Sequence, residues 1–288
     1  MIPSTSPPMR RVSTPRSFYG PRASQFRRTL ASGRLPIPNC ARCAELRSAD
    51  RRSASQYLKP ESMPVNGIMA ENTIACGLGC ASCDRDALGA ARKKPCLSMA
   101  DVERIAAELR NNGIRYLSYY KLGEPFSSPA ILQEIRTLRR HNPILHIEVG
   151  TNGLLLEGPE RQEAALLLDG IHFSIDGVTD RMVRKYQKGG SFAAAYRNMA
   201  ELVASRDSKG LRRPRIEWKY VLFRWNDKER HVRMAVELAK QAKVDVISFW
   251  PARSPVYGIS WRYHVRGYFG NIGRPSWKGR EVVLRPAA

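Results

Sequence analysis

The chain has 288 residues, 43% of them hydrophobic, enough for one sizeable core or a core with a small accessory module. Its formal charge of +22 is unevenly placed: residues 1–70 carry twelve basic side chains against three acidic, residues 71–250 twenty-nine against twenty-two, and residues 251–288 seven against one. About two-thirds of the excess lies in arginine-rich flanks, so a dedicated nucleic-acid site is not expected, and no apolar run approaches the roughly 18 residues of a membrane span.

Residues 1–65 are rich in Ser, Pro and Arg, with no acid before Glu45, and read as a basic, partly disordered extension. Pro3, Pro7, Pro8, Pro15 and Pro21 would break the amphipathic helix of an organelle transit peptide, and no apolar stretch of a secretory signal opens the chain. A cytoplasmic protein is expected. Phe26 to Leu35 could form a short helix leading to Cys40-Ala-Arg-Cys43.

Residues 66–252 alternate apolar runs with amphipathic stretches, the pattern of a parallel sheet with crossover helices. Strands are predicted to end near Ala75, Tyr120, Gly150, Ile175, Phe223 and Trp250. Helices are predicted at about 99–112, 129–141, 158–168, 180–186, 192–205 and 228–243, with Ser98 capping the first and Asn226 or Asp227 the last. The predicted fold is α/β: a partial (β/α)6 TIM-type barrel of parallel strands with an apolar interior, flanked by largely irregular basic segments. Reactive groups should gather at the strand C-termini. Residues 253–288 form a basic tail in which Trp261, Tyr263, Tyr268, Phe269 and Trp277 are interleaved with arginine.

Six cysteines without an export signal point to metal or redox work rather than disulfides. Three of them fall within eight residues, Cys76-Gly-Leu-Gly-Cys80-Ala-Ser-Cys83, in the loop expected after the first strand. Thiolates are the usual ligands of iron–sulfur clusters, and Gly77 and Gly79 let the backbone wrap an inorganic core. Three ligands on a four-iron cube leave one iron open, the mark of a catalytic rather than a closed centre. A different class of reading gathers Cys40, Cys43, Cys80 and Cys83 into a zinc-binding module, which leaves Cys76 without a role. His141, His146, His172, His231 and His264 form no ligand spacing and read as structural.

The cysteine loop resembles the C-x3-C-x2-C signature of the radical SAM superfamily, and the resemblance continues along about residues 71–250. Gly123-Glu124-Pro125 looks like the motif that holds the amino group of S-adenosylmethionine (SAM). Thr151-Asn152-Gly153 follows the third strand as in many members. Ser174-Ile175-Asp176-Gly177 stands where polar contacts to the SAM ribose are usual. Gly189-Gly190-Ser191-Phe192 is similar to a stretch common before the next helix. Three positions depart from the pattern: Ser82 replaces an aromatic residue, Leu122 replaces a glycine, and Gln187 stands where many members have an arginine for the SAM carboxylate. The element around Cys40 and Cys43 resembles part of a SPASM accessory domain, although such domains normally follow the barrel.

The resemblance implies a [4Fe–4S] cluster on Cys76, Cys80 and Cys83. SAM would be held by Gly123, Glu124, Pro125, Thr151, Asn152, Ser174 and Asp176. It further implies reductive cleavage of SAM to a 5′-deoxyadenosyl radical that takes hydrogen from a substrate. An external flavodoxin- or ferredoxin-like protein would supply the electron. The SPASM-like element leans towards a peptide or protein substrate; an acidic molecule, a sugar or another small metabolite is the alternative.

Overall fold

The computed structural model describes residues 67–90, 94–264 and 281–284, together with positions 25, 28, 29, 32 and 34. Cys40, Cys43, Tyr268, Phe269 and Trp277 lie outside the described residues. The chain divides into two compact units. One comprises residues 67–106 and 115–288 and holds the sheet; the other comprises Met1–Asn66 with Ala107–Ile114. In the second unit, Gln25, Arg28 and Thr29 are helical, within or beside the expected Phe26–Leu35 turn.

Six longer strands and helices follow the predicted order. Strands β1 (Gly67–Met69), β3 (Tyr116–Ser118), β4 (His146–Thr151), β5 (Gly170–Ser174), β7 (Arg215–Leu222), β8 (Val246–Pro251) and β9 (Glu281–Leu284) form one sheet, with every pairing parallel. The pair β2 (Gly79–Cys80) and β6 (Gln187–Lys188) forms a separate antiparallel ribbon. Helices are α1 (Arg85–Ala90), α2 (Met99–Asn111), α3 (Ile131–His141), α4 (Pro159–Leu166), α5 (Asp180–Arg184), α6 (Phe192–Ser208) and α7 (Glu229–Gln241). Parallel strands joined through helices make the partial TIM-type barrel expected, left open among the described residues.

Two placements differ from expectation. The first strand is Gly67–Met69, not a run ending at Ala75; residues 70–75 continue as extended loop, with only an isolated bridge from Thr73 to Cys96. And β9, from the C-terminal segment, pairs with β8 as a seventh strand.

The core follows from alternation. Leu117, Ile147, Val149, Ile171, Phe173, Ile216, Trp218 and Phe249 are buried on one sheet face. The helices present matching stripes, such as Ile131, Ile135 and Leu138 of α3, and Val232, Ala235, Val236 and Ala239 of α7. From α6, Phe192 and Tyr196 lie against Trp218, with ring centroids 6.2 and 6.0 Å away. Each such large side chain contributes ~1.5–3 kcal/mol on burial.

The opposite, inner face is not apolar as expected. Register brings Glu148, His172 and Glu217 side by side on β4, β5 and β7, and Lys219, Ser248 and Trp250 follow towards the strand C-termini. Tyr120 reaches the same face because Gly150 has no side chain; a Cβ there would stand 2.7 Å from the tyrosine ring. Polar residues at every second strand position look, in a sequence, like a solvated face.

Candidate active site

The cysteine loop is anchored from both sides. Cys80 pairs with Gln187, Ala81 N–H donates to Tyr186 C=O (3.0 Å), and Cys83 N–H donates to Cys80 C=O (3.2 Å) just before α1 begins. Burial raises the Cys76 thiol pKa; for Cys80, burial, the Asp176 carboxylate and the two neighbouring thiols push it up to about 12. A thiol whose ionisation is opposed by burial and by its neighbours, as at Cys80, favours a cation beside it. Cys76 Sγ already accepts from Leu78 N–H (3.5 Å) and Asn152 Nδ2 (3.7 Å), donors suited to a thiolate.

These residues fit an iron–sulfur cluster. In a cubane each cysteine holds a different iron, and the loop supplies three thiols, one of them already met by the two N–H donors that a cluster thiolate accepts.

Gly123 meets the loop before the cysteines so closely that a Cβ would lie 2.0 Å from Thr73 C=O. The adjoining Glu124 is 2% exposed and donates its N–H to Ala75 C=O (2.7 Å). Its carboxylate accepts from Thr151 Oγ1 (2.8 Å) and Phe126 N–H (3.2 Å) on one oxygen and from Asn152 N–H (2.7 Å) on the other. Burial raises its pKa against those bonds. A carboxylate offers about four acceptor positions, so one remains for a further donor. Asn152 thereby joins three elements: its backbone meets Glu124, its amide nitrogen meets Cys76, and its Oδ1 caps Leu154 N–H (2.9 Å). Pro125 starts a short 3-10 turn, Pro125–Ser127.

Ser174 and Asp176 leave the end of β5 and are clamped by Gln187, whose amide donates to Ser174 C=O (2.9 Å) and accepts from Asp176 N–H (3.3 Å). The replaced arginine position is thus a brace between the cysteine ribbon and β5. Asp176 is 3% exposed and accepts from Val221 N–H (2.8 Å), and burial pushes its carboxyl up to about 7. Ser174 lines a small open cavity with Leu78, Asn152, Leu154, Gln187 and Gly190; Asp176 stands behind that wall.

Three participants were missed or misread from the sequence. Glu71 Oε1 accepts from Leu122 N–H (2.5 Å) and Gly123 N–H (2.7 Å), holding the strand end that carries Glu124; nothing local to Glu71 signals a partner fifty residues on. Tyr186 faces the thiols of Cys80 and Cys83, which with burial raise its pKa to about 12, and its ring lies 4.6 Å from Phe223. Asn226 is no helix cap: α7 begins after Lys228, and the fully buried Asn226 bonds Phe223 N–H, Asp176 C=O and Val221 C=O. Ser98, by contrast, does cap α2, exchanging bonds with Asp101. Cys96 sits against Thr73 Oγ1 (3.0 Å).

Residues 73–210 match the family model of the radical SAM superfamily. Over that span, just under half of the chain, the sequence is similar to a radical SAM domain. Solved structures of similar fold include Streptococcus suis SuiB bound to the precursor peptide SuiA, at 12% identity and a TM-score of 0.57 over 92% of this chain and 62% of that one. SuiB bound to S-adenosylmethionine gives 12% and 0.56 over 93% and 60%. anSMEcpe with bound AdoMet and Cp18Cys peptide gives 17% and 0.54 over 75% and 62%. The chain therefore spans about three fifths of the length of these structures. No curated protein matches it. Among the described residues, no helix is long and apolar enough to cross a membrane.

Proposed function

We propose that the chain is a radical SAM enzyme in which Cys76, Cys80 and Cys83 hold a [4Fe–4S] cluster. The observation that carries this reading is the junction at Asn152, which ties the Cys76 sulfur to the Glu124 carboxylate at the C-terminal end of the parallel sheet. When bound and reduced, the cluster supplies the electron that cleaves SAM to methionine and a 5′-deoxyadenosyl radical able to take hydrogen from a substrate.

The chain's own residues position and shield. Glu124, with one acceptor position left in a dry setting, receives the ammonium of SAM; Gly123 and Pro125 fix its approach, and Thr151 and Asn152 hold its carboxylate in place. Ser174 meets the ribose side from the cavity wall, while Asp176 acts from behind it by holding β5 to β7. Tyr186, packed against Phe223, supplies the aromatic surface that Ser82 does not. The substrate is a peptide, a reading supported by the fold shared with SuiB and anSMEcpe, both solved with peptides. A flavodoxin- or ferredoxin-like donor delivers the electron.

Anaerobic reconstitution with iron and sulfide tests this. The expected result is about four irons and four sulfides per chain, a brown absorbance perturbed by SAM, and 5′-deoxyadenosine on adding reductant. Cys→Ser at 76, 80 or 83 should abolish all three. Colourless zinc binding without 5′-deoxyadenosine would overturn it.

A further inference from the structure

The inner sheet face carries charge in two layers. In the deeper layer everything is paired: His172 Nε2 meets Glu148 Oε2 (3.2 Å), His172 Nδ1 meets Glu217 Oε2 (3.1 Å), Tyr116 donates to Glu148, and Ser248 donates to Glu217. One step nearer the strand C-termini stands Lys219, in register with Ser174 on one side and Ser248 on the other. Its ammonium makes no hydrogen bond or ion pair among the described residues; it lies 4.8 Å from the centroid of the Trp250 ring. That ring is itself fixed, since Trp250 Nε1 donates to Ser248 Oγ (2.8 Å). The Asp176 carboxylate feels the lysine's field without hydrogen-bonding to it, and its Oδ1 accepts from Val221 N–H.

We infer that Lys219 is a substrate anchor whose ammonium takes a carboxylate of the molecule lying on the inner face. This rests on the radical SAM reading, which puts a substrate at the C-terminal end of these strands. Lys219 is half-buried, and an ammonium met only by a ring face keeps donors to spare, whereas the acids beneath it have their partners. A carboxylate arriving from the cavity side would complete it with charge-assisted bonds, and the adjoining Ser174 hydroxyl could share the load. The class of substrate implied is acidic: a peptide presenting an Asp or Glu side chain or its own terminal carboxylate.

SAM also bears a carboxylate, so the test separates the two sources. In the reconstituted full chain with SAM present, ligand-observed NMR measures binding of N-acetylglutamate and of its neutral match N-acetylglutamine. SAM affinity and 5′-deoxyadenosine formation are measured beside it. The expected result is a preference for the acid of about tenfold, lost in Lys219→Met, largely kept in Lys219→Arg, with SAM affinity unchanged in both. Equal binding of acid and amide, or a preference surviving in Lys219→Met, overturns the assignment. So does a loss that falls on SAM affinity, which would give the lysine to SAM. Failure to form 5′-deoxyadenosine in the unmutated protein would count against the radical SAM reading instead, whatever the acid preference shows.

Discussion

The carboxylate of Glu124 illustrates how one side chain serves structure and chemistry together. Three donors from the 151–152 turn and the 3-10 turn already hold it, and a carboxylate has one acceptor position more. Glu124→Gln keeps the shape but turns an amide donor towards Asn152 N–H or loses the site's charge. The expected outcome is SAM affinity weakened by about tenfold or more with iron content unchanged, read by SAM binding and iron assay; undiminished SAM affinity would remove Glu124 from the site. Gly123 is constrained differently. With a Cβ 2.0 Å from backbone oxygen, Gly123→Ala must push Thr73 aside or shift the strand end, at a cost of ~1–3 kcal/mol. Urea unfolding of the alanine variant measures that cost.

Among elements, the inner-face triad binds three strands through one ring. Hydrogen bonds and charge from Glu148 and Glu217 outweigh burial and raise His172 from its usual 6.5 to about 9, while the His172 bond leads in pulling Glu148 from 4.5 down to about 2. A raised histidine stabilises the fold fully below pH 6.5 and loses that contribution as pH climbs through 9; a lowered glutamate stabilises above 4.5 and loses it as pH falls through 2. The triad's own contribution should therefore be largest between about pH 4.5 and 6.5 and fall by ~2–3 kcal/mol towards pH 9. In His172→Gln the alkaline decline should flatten, which urea titrations at pH 6 and 9 would show; an unchanged decline would assign it elsewhere. The triad also marks a limit of sequence reading. The cysteine loop and the strand-end motifs can be picked out of a sequence because each is local, its spacing carrying the resemblance. Glu148, His172 and Glu217 stand 24 and 45 residues apart and meet only through strand register, so a charged inner face was read as an apolar one. Asn226 was misread for a similar reason: beside a helix start it looks like a cap, yet its amide meets Asp176, just past β5, and Val221 on β7. Asn226→Ala strips three buried backbone groups of their partner, an expected loss of ~2–4 kcal/mol measurable as a lower Tm.

For the whole molecule, the βα alternation was legible because its longer helices repeat their apolar stripes over several turns, whereas β9 was not, being four residues in an arginine-rich segment without a period of its own. Its position gives it weight. In an open parallel sheet the last strand leaves a row of N–H and C=O groups available to another chain, and here Glu281–Leu284 cover those of β8 from Val246 to Phe249. Deleting residues 281–288 transfers that edge to β8, a longer strand whose ladder is flanked by large apolar side chains, while deleting only residues 285–288 leaves β9 whole. The longer deletion should self-associate as concentration rises, seen by light scattering and early elution in size exclusion, and the shorter one should behave as the full chain does. Because the β8 edge is remote in sequence from Cys76, Cys80 and Cys83, both deletions should still take up iron and sulfide. A longer deletion that elutes like the full chain would show that β9 does not guard the sheet.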